Sequence, residues 1–201
     1  MSRIKNVVFD LGGVVIDWSP EKIRREYKEN PELAEFVFKN NEVGLCWQDF
    51  DRGILSANGL AKCIAEAAGL SEKAGLHFME YIKNTLGDIT KTVDLMKELS
   101  EQDYKLYCLS NLSVDFYDYL KNRSFFNYLD GRIISALEGV IKPDPAIYQI
   151  LLSRYALNPE ETLFIDDLAA NIATAQTLGF HTVHFADKEK GYQEIAALLN
   201  D

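Results

Sequence analysis

The strongest constraint on the fold is a regular alternation of strand-like and helix-like segments that begins after about residue 86. Short apolar runs such as 105–109 and 162–165 predict buried strands, and the amphipathic stretches between such runs predict helices. Strands that are separated by helices form parallel sheets, and helices cover both faces of such sheets. The alternation therefore predicts an α/β fold with three layers.

A long helical segment interrupts this pattern near the start of the chain. Residues 4–9 form an apolar run that predicts the first strand, and Ser19 followed by Pro20 is typical of a helix N-terminus. Helical patterns then continue to about residue 84 without a convincing strand. We expect residues 1–16 and 86–201 to form a Rossmann-like parallel-sheet core, and residues 17–85 to form an inserted helical cap.

The charge of the chain argues against several classes of partner. The formal net charge is −10, whereas nucleic acids and anionic membrane surfaces attract basic stripes. The sequence contains no unbroken apolar stretch of the roughly 18 to 20 residues that a membrane span needs. We expect neither a nucleic-acid partner nor a membrane partner, and we favour a monomer, although the sequence leaves the oligomeric state open.

The cysteine pattern predicts a reduced protein. The three cysteines are odd in number and form no CxxC pair, which predicts neither a disulfide framework nor a zinc site. These residues are Cys46, Cys63 and Cys108. A reducing cytoplasm is the compartment that this pattern favours.

Unusual polar residues follow several of the predicted strands or lie in a neighbouring loop. In open parallel sheets the active site lies at the carboxyl ends of the strands, so these residues should meet at one edge. Any one of them alone would be explained as a turn former, a helix cap or a solvated side chain. Together they predict a functional site made of Asp10, Ser110, Asn111, Lys142, Asp166 and Asp167.

Each residue type has a chemical reason to be at such a site. The carboxylate of Asp10 could attack phosphorus and divide a difficult displacement into two easier steps. Mg²⁺ takes about six oxygen ligands, and Asp10 and Asp167 with the carbonyl of Gly12 would suit it. Asp166 would then hold a metal-bound water. Lys142 and the polar groups after the second strand could balance the charge of the transferred group.

The same residues form four ordered motifs that span nearly the whole chain. The motifs are Val8-Phe9-Asp10-Leu11-Gly12-Gly13-Val14, Cys108-Leu109-Ser110-Asn111, Lys142-Pro143-Asp144-Pro145, and Phe164-Ile165-Asp166-Asp167 followed by Asn171. In these motifs the chain resembles the haloacid dehalogenase superfamily, in its subgroup with a small helical cap inserted after the first motif. The ordered set, with an insertion at the expected place, is far more specific than any single motif.

The resemblance implies a magnesium-dependent phosphatase, that is, a phosphoric monoester hydrolase that acts on small phosphorylated metabolites through a phosphorylated Asp10. It also implies that Ser110 and Lys142 bind the phosphoryl group and that Asp10 and Asp167 bind magnesium. Within the superfamily the chain is most similar to the sugar-1-phosphate (α-D-glucose-1-phosphate) phosphatase type, through its FDLGxV motif and its Lys-Pro-Asx/Glu-x-x-Ile-Tyr run. Sugar phosphates are therefore the expected substrates.

One position departs from the pattern of the family. Phosphatases of this family usually have a second aspartate two residues after the nucleophile, as the acid for the leaving oxygen, and this chain has Gly12 there. Without that acid, esters with good leaving groups, such as anomeric or aryl phosphates, should react faster than primary alkyl phosphates. In the cap, the turn at Asp51-Arg52-Gly53 could bring a charged side chain to the substrate, and we expect Arg52 to bind it.

Three other functions remain open from the sequence. A hydrolytic dehalogenase would use the same aspartate on carbon without a metal, but the pair Asp166-Asp167 beside an anionic nucleophile weighs against it. A catalytically silent protein that binds phosphorylated ligands would explain Gly12. A phosphoacceptor signalling domain would share the parallel sheet and the aspartate chemistry, but it would not need the helical insertion.

Overall fold

The computed structural model describes residues 3–200. Its centre is a sheet of five parallel strands in the order β3-β2-β1-β4-β5. The strands are β1 (Asn6–Phe9), β2 (Lys105–Ser110), β3 (Gly131–Ile134), β4 (Thr162–Asp166) and β5 (His181–His184). The predicted α/β fold is confirmed.

The strand register places the ends of β1 and β4 side by side. Phe9 pairs with Cys108 on one side and with Ile165 on the other. The backbone amide of Asp10 continues the second pairing, because it donates to the carbonyl of Ile165 at 2.9 Å. The register therefore brings Asp10 beside Asp166, the last residue of β4.

Five helices lie between β1 and the rest of the core. They are α1 (Pro20–Glu26), α2 (Pro31–Val37), α3 (Asn41–Asp51), α4 (Ala57–Ala68) and α5 (Glu72–Thr85). The α-helices that follow are α6 (Thr90–Ser100), α7 (Val114–Leu120), α8 (Ser135–Glu138), α9 (Pro145–Tyr155), α10 (Ala169–Thr177) and α11 (Lys188–Asn200). Short 3-10 helices cover Ser124–Tyr128 and Pro159–Glu161.

The two segments that lead into and out of the five helices run side by side. Ile16 and Asp88 form an isolated antiparallel bridge, and the amide of Asp17 donates to the carbonyl of Gly87 at 2.8 Å. This narrow stem agrees with an insertion over residues 17–85. The functional division into core and cap stays a prediction.

The hydrophobic core lies on both faces of the sheet. Val7 and Phe9 of β1 pack on one face, in a cluster that also includes apolar residues of α1 to α5, and Val8 packs on the other face. This alternation buries β1 completely, as expected for a central strand covered on both sides. Within residues 3–200, the helices are too short or too polar to cross a bilayer.

The prediction that the cysteines form no disulfide was wrong. Cys46 of α3 and Cys63 of α4 form a disulfide, with their α carbons 6.7 Å apart, and Cys108 is buried as a free thiol. The two helices pack against each other, and this packing brings together cysteines that are 17 residues apart in sequence. The cytoplasmic location stays a prediction, and the cysteine pattern no longer supports it.

Candidate active site

A cavity of about 290 Å³ lies at the carboxyl edge of the sheet, between the core and the inserted helices. Its polar wall comes from the ends of β1, β2 and β4, from the loop before α9, from the first turn of α10 and from the end of α3. These polar residues are Asp10, Ser110, Asn111, Lys142, Asp167, Asn171 and Asp51. The remaining wall is mostly aliphatic and aromatic, with Trp18, Phe38 and Trp47 contributed by the inserted helices and their entry.

A buried ammonium group joins two of the predicted carboxylates. Nζ of Lys142 lies 2.9 Å from Oδ1 of Asp10 and 2.6 Å from Oδ2 of Asp166. Lys142 is 3% exposed and Asp166 is fully buried, so solvent screens these ion pairs weakly. The predicted nucleophile and the predicted phosphate-binding lysine are therefore in direct contact.

Asp166 is held by a complete set of donors. Besides Lys142, its carboxylate accepts from the amide of Leu168 at 2.8 Å and from the side-chain amide of Asn171, which reaches both oxygens at 2.9 and 3.0 Å. Asp167, by contrast, is half-buried and lines the cavity. This difference fits Asp167 as the ligand that contacts a metal and Asp166 as the residue that positions its neighbours.

Asn111 holds the backbone of the loop that carries Lys142. Its Oδ1 accepts from the amide of Lys142 at 2.7 Å, and its Nδ2 donates to the carbonyl of Lys142 at 3.0 Å. This pair of bonds gives Asn111 a positioning role. Ser110 lies at the end of β2 on the cavity wall, as predicted, and contact of either residue with a phosphoryl group stays a prediction.

The site carries an excess of negative charge, and burial is the main cause of the pKa shifts of its carboxyl groups. Burial raises the pKa of Asp10 to about 7, although the charge of Lys142 opposes this shift. Burial also raises the pKa of Asp167, and the charge of Asp166 adds to the effect. Burial alone would lower the pKa of Lys142, but the carboxylates of Asp10 and Asp166 outweigh it and raise that pKa.

This set of carboxylates can hold a divalent cation. Asp10, Asp166 and Asp167 each offer an oxygen, and these oxygens lie within 4.8 Å of one another. The carboxylates outnumber the ammonium group of Lys142, so a bound cation would offset their repulsion. Oxygen donors of this kind suit Mg²⁺. Gly12, whose carbonyl is the remaining predicted ligand, also lines the cavity.

The position that lacks the usual acid is next to an aromatic ring. Gly12 has a φ outside the left-handed region, and a β carbon there would lie 3.5 Å from Cδ1 of Trp18. The ring centroids of Trp18 and Trp47 are 5.5 Å apart, so a second indole packs on the one that lies next to Gly12. The first turn therefore contributes an apolar surface where a carboxylate was expected from the family pattern.

The turn after α3 places a different residue in the cavity from the one predicted. Arg52 does not belong to the cavity wall within residues 3–200, and its Nη1 instead pairs with Oδ1 of Asp49 at 3.2 Å. Its neighbour Asp51 lines the cavity. The structure therefore brings together all the predicted site residues except Arg52, whose contact with substrate stays a prediction.

Comparisons with known proteins find hydrolases and phosphatases among the proteins that are similar to this chain. The model of the haloacid dehalogenase-like hydrolases matches residues 4–179. The chain is 27% identical to the sesquiterpene phosphatase astK of Aspergillus oryzae, over 98% of both chains. It is also 27% identical to the D-ribitol-5-phosphate phosphatase of Bacteroides thetaiotaomicron, over 98% of this chain and 99% of the relative.

A solved structure extends the likeness to the fold. A HAD family enzyme from Bacteroides thetaiotaomicron, crystallised in complex with magnesium and inorganic phosphate, is 28% identical to this chain. The match has a TM-score of 0.71 and covers 89% of this chain and 92% of that one. Most of this chain thus has the fold of an enzyme that was crystallised with both ions.

Proposed function

Because the chain belongs to the haloacid dehalogenase-like hydrolases, we propose that it is a magnesium-dependent phosphatase of small phosphorylated metabolites and that Asp10 carries the phosphoryl group during turnover. The observation that carries this proposal is the contact of Asp10 with Lys142 beside the carboxylate of Asp167, all on one cavity wall. This arrangement provides a nucleophile, a cation for the transferred group and a place for a metal.

The residues divide the reaction between them. Asp10 lies at the end of β1, and its Oδ1 accepts from the amide of Leu11 at 2.7 Å and from Lys142, which leaves Oδ2 for attack on phosphorus. Lys142 can balance charge on the transferred oxygens while Asp166 keeps its ammonium group in place. Ser110, which also lines the cavity, would donate to a phosphoryl oxygen.

Asp10, Asp167 and the carbonyl of Gly12 would hold the magnesium ion. Asp166 would keep Lys142 in position beside them. When bound, the ion would neutralise part of the charge on the carboxylates and on the phosphoryl group. The phosphatase relatives and the magnesium-phosphate complex of the structural neighbour support this cofactor. The inserted helices form the far wall of the cavity and would exclude water from it.

The direct test is to trap the intermediate. The protein, with magnesium present, is mixed with ³²P-labelled p-nitrophenyl phosphate and quenched in acid after a few milliseconds. We expect hydroxylamine-sensitive label on the peptide that contains Asp10, as an acyl phosphate requires. A chain that turns over the ester without ever becoming labelled would exclude the covalent mechanism. The dehalogenase alternative predicts instead that ¹⁸O from water enters the Asp10 carboxylate during turnover of a haloacid.

Sugar phosphates are the substrates that the motif resemblance predicts, and the aromatic wall is compatible with them because Trp18 and Trp47 can stack on the C–H face of a sugar ring. A second substrate class is favoured by the composition of the cavity. Away from Asp51 and the phosphoryl end, its wall is apolar, for example at Ile16, Phe38 and Leu120, and offers few partners for sugar hydroxyls. Esters of apolar alcohols would bury their organic group there.

A single panel separates these two classes. It contains glucose 1-phosphate, ribitol 5-phosphate, benzyl phosphate and a short prenyl phosphate, each assayed for kcat/KM with magnesium. A sugar-phosphate enzyme should favour the first two compounds. If the apolar wall sets the preference, the last two should be favoured, and Trp47→Ala should reduce their kcat/KM more than it reduces that of glucose 1-phosphate.

A further inference from the structure

We propose that Asp51, at the end of α3, is the general acid and base of the reaction and takes the place of the carboxylate that is missing at position 12. This inference rests on the proposed phosphatase function. It assigns a catalytic role to a residue of the inserted helices that lines the cavity.

The first support is the location of Asp51. Asp51 lines the same cavity as Asp10, Gly12 and Lys142. Within residues 3–200 its carboxylate forms neither a hydrogen bond nor a salt bridge, although the acidic residue two positions earlier, Asp49, pairs with Arg52. A carboxylate in a largely apolar cavity without a protein partner is costly unless it is protonated or has a ligand to bind.

The second support is that Asp51 is fixed to the core although it belongs to the inserted helices. The hydroxyl of Ser135, which follows β3 directly, donates to the backbone carbonyl of Asp51. At Gly53, where φ is +76°, a β carbon would lie 2.5 Å from the carbonyl oxygen of Ala136, so the turn contacts the core backbone closely. Phe50 packs edge-to-face on Phe116 of α7, with ring centroids 5.4 Å apart.

The third support is the electrostatic environment. Burial raises the pKa of Asp51 to about 7, and the negative charge of Asp10 adds to this shift, whereas the positive charges of Lys142 and Arg52 oppose it. A protonated carboxyl group near neutral pH is what an acid for a leaving oxygen requires. The contacts of the α3 end with the core fix the position of Asp51, and the raised pKa allows its carboxyl group to be protonated near neutral pH.

The proton balance closes over one turnover. In the first step Asp10 bonds to phosphorus, the bond from phosphorus to the ester oxygen breaks, and that oxygen takes the proton of Asp51 and leaves as an alcohol. In the second step the Asp51 carboxylate accepts a proton from water as the water oxygen bonds to phosphorus. The bond from Asp10 to phosphorus then breaks, inorganic phosphate leaves, and both carboxyl groups return to their starting states.

The test compares two esters of similar size that differ in leaving group. p-Nitrophenyl phosphate releases a stable phenolate and needs little help from an acid, whereas benzyl phosphate releases a poor alkoxide. We expect Asp51→Asn to lower kcat/KM for benzyl phosphate by about 100- to 10,000-fold, and to lower the value for p-nitrophenyl phosphate by less than about tenfold. The matched control Asp49→Asn, two residues earlier on α3, should leave both values unchanged.

The outcomes of this test distinguish a catalytic role of Asp51 from a structural one. Equal losses for the two esters in Asp51→Asn would overturn the inference, because a structural defect or weaker binding affects both alike. Unchanged rates would overturn it as well. A different variant tests the proposed function: if Asp10→Asn still hydrolyses the esters, Asp10 is not the nucleophile and the proposed mechanism is wrong. The sequence predicts from Gly12 alone that the unmodified enzyme prefers esters with good leaving groups. With Asp51 as the acid, kcat/KM of the unmodified enzyme should differ little between the two esters.

Discussion

A β carbon on Gly13 would lie 2.5 Å from Oδ2 of Asp167, closer than β carbons approach other atoms in folded proteins. Gly13 also has a φ of +73°, in the left-handed region that favours glycine. The turn after β1 and the end of β4 are therefore packed backbone against carboxylate. This contact restricts the position of the Asp167 carboxylate relative to Asp10.

Gly13→Ala should consequently damage both stability and metal binding, and Gly12→Ala is its matched control. The left-handed φ alone should cost about 1–2 kcal/mol, and displacement of Asp167 should weaken magnesium binding. At Gly12 an added β carbon meets Trp18 at an ordinary contact distance of 3.5 Å, so we expect a change within about 0.5 kcal/mol. Chemical unfolding and magnesium titration of the two variants check this contrast. Similar behaviour of both would contradict it.

Asp10→Asn should reduce turnover by roughly 1,000-fold or more, because an amide cannot act as the nucleophile. The fold should persist, since the amide keeps the shape of the side chain and Lys142 retains its contact with Asp166. Circular dichroism and kcat measured side by side test both statements. Asp94→Asn, on an exposed position of α6, is the control and should behave as the unmodified protein. A tenth of the activity remaining in Asp10→Asn would exclude Asp10 as the nucleophile.

Activity should disappear in excess chelator and return with magnesium, and Asn171→Ala should increase the magnesium concentration needed for half-maximal activity by about 10- to 100-fold. The side-chain amide of Asn171 donates to both oxygens of Asp166, and Asp166 in turn pairs with Lys142. Removal of the Asn171 side chain should therefore make the positions of the carboxylates less fixed without removing a metal ligand. Calorimetric titration of magnesium in the absence of substrate gives a second readout. Full activity in chelator would instead favour the metal-free dehalogenase chemistry.

Without metal, the protein should lose stability as the pH rises from about 4 to about 7. In this window the folded chain binds more protons than the unfolded chain, because burial raises the pKa of Asp10 and of Asp51 from 3.8 to about 7. Stability therefore falls with pH by linkage. The raised pKa of Lys142 adds no slope here, since that stabilisation is fully present below its unfolded pKa of 10.5.

The measurement is the thermal unfolding midpoint in chelator at pH 5 and pH 7.5. The midpoint should be lower at pH 7.5, by roughly 2–4 °C for each kcal/mol lost, and magnesium should restore it there. Asp51→Asn should reduce the difference between the two pH values, because the amide cannot ionise. A midpoint that rises with pH in chelator would show that these carboxyl groups are ionised in the folded chain throughout.

The sequence was sufficient to predict most of the fold and most of the site. Asp10, Ser110 and Asp167 could be assigned to one place because the carboxyl ends of parallel strands share an edge, which requires no knowledge of side-chain packing. Asp51 could not be distinguished from Arg52 in this way. Neighbouring residues at a helix end point in directions about 100° apart, and only the docking of α3 on the core decides which of them faces the cavity.

The disulfide could not be predicted for a related reason. Cys46 and Cys63 lie on separate helices, and the sequence pattern does not specify which faces of α3 and α4 meet. The same holds for the indoles of Trp18 and Trp47, whose approach depends on how the chain enters the inserted helices. Sequence reasoning thus missed the disulfide and the position of Asp51 on the cavity wall, and both depend on the packing of the inserted helices.

The hydrogen bond from Ser135 to the carbonyl of Asp51 connects the opening of the cavity with the position of the proposed acid. Any movement that swings the end of α3 away from the core to admit a substrate must also break this bond and withdraw Asp51 from Asp10. An open molecule would hold its nucleophile but not its acid, so it could collide with phosphate esters in solution without cleaving alkyl esters. The enzyme would cleave alkyl esters efficiently only on closing, and the closing rate would then set an upper limit on the turnover of those esters.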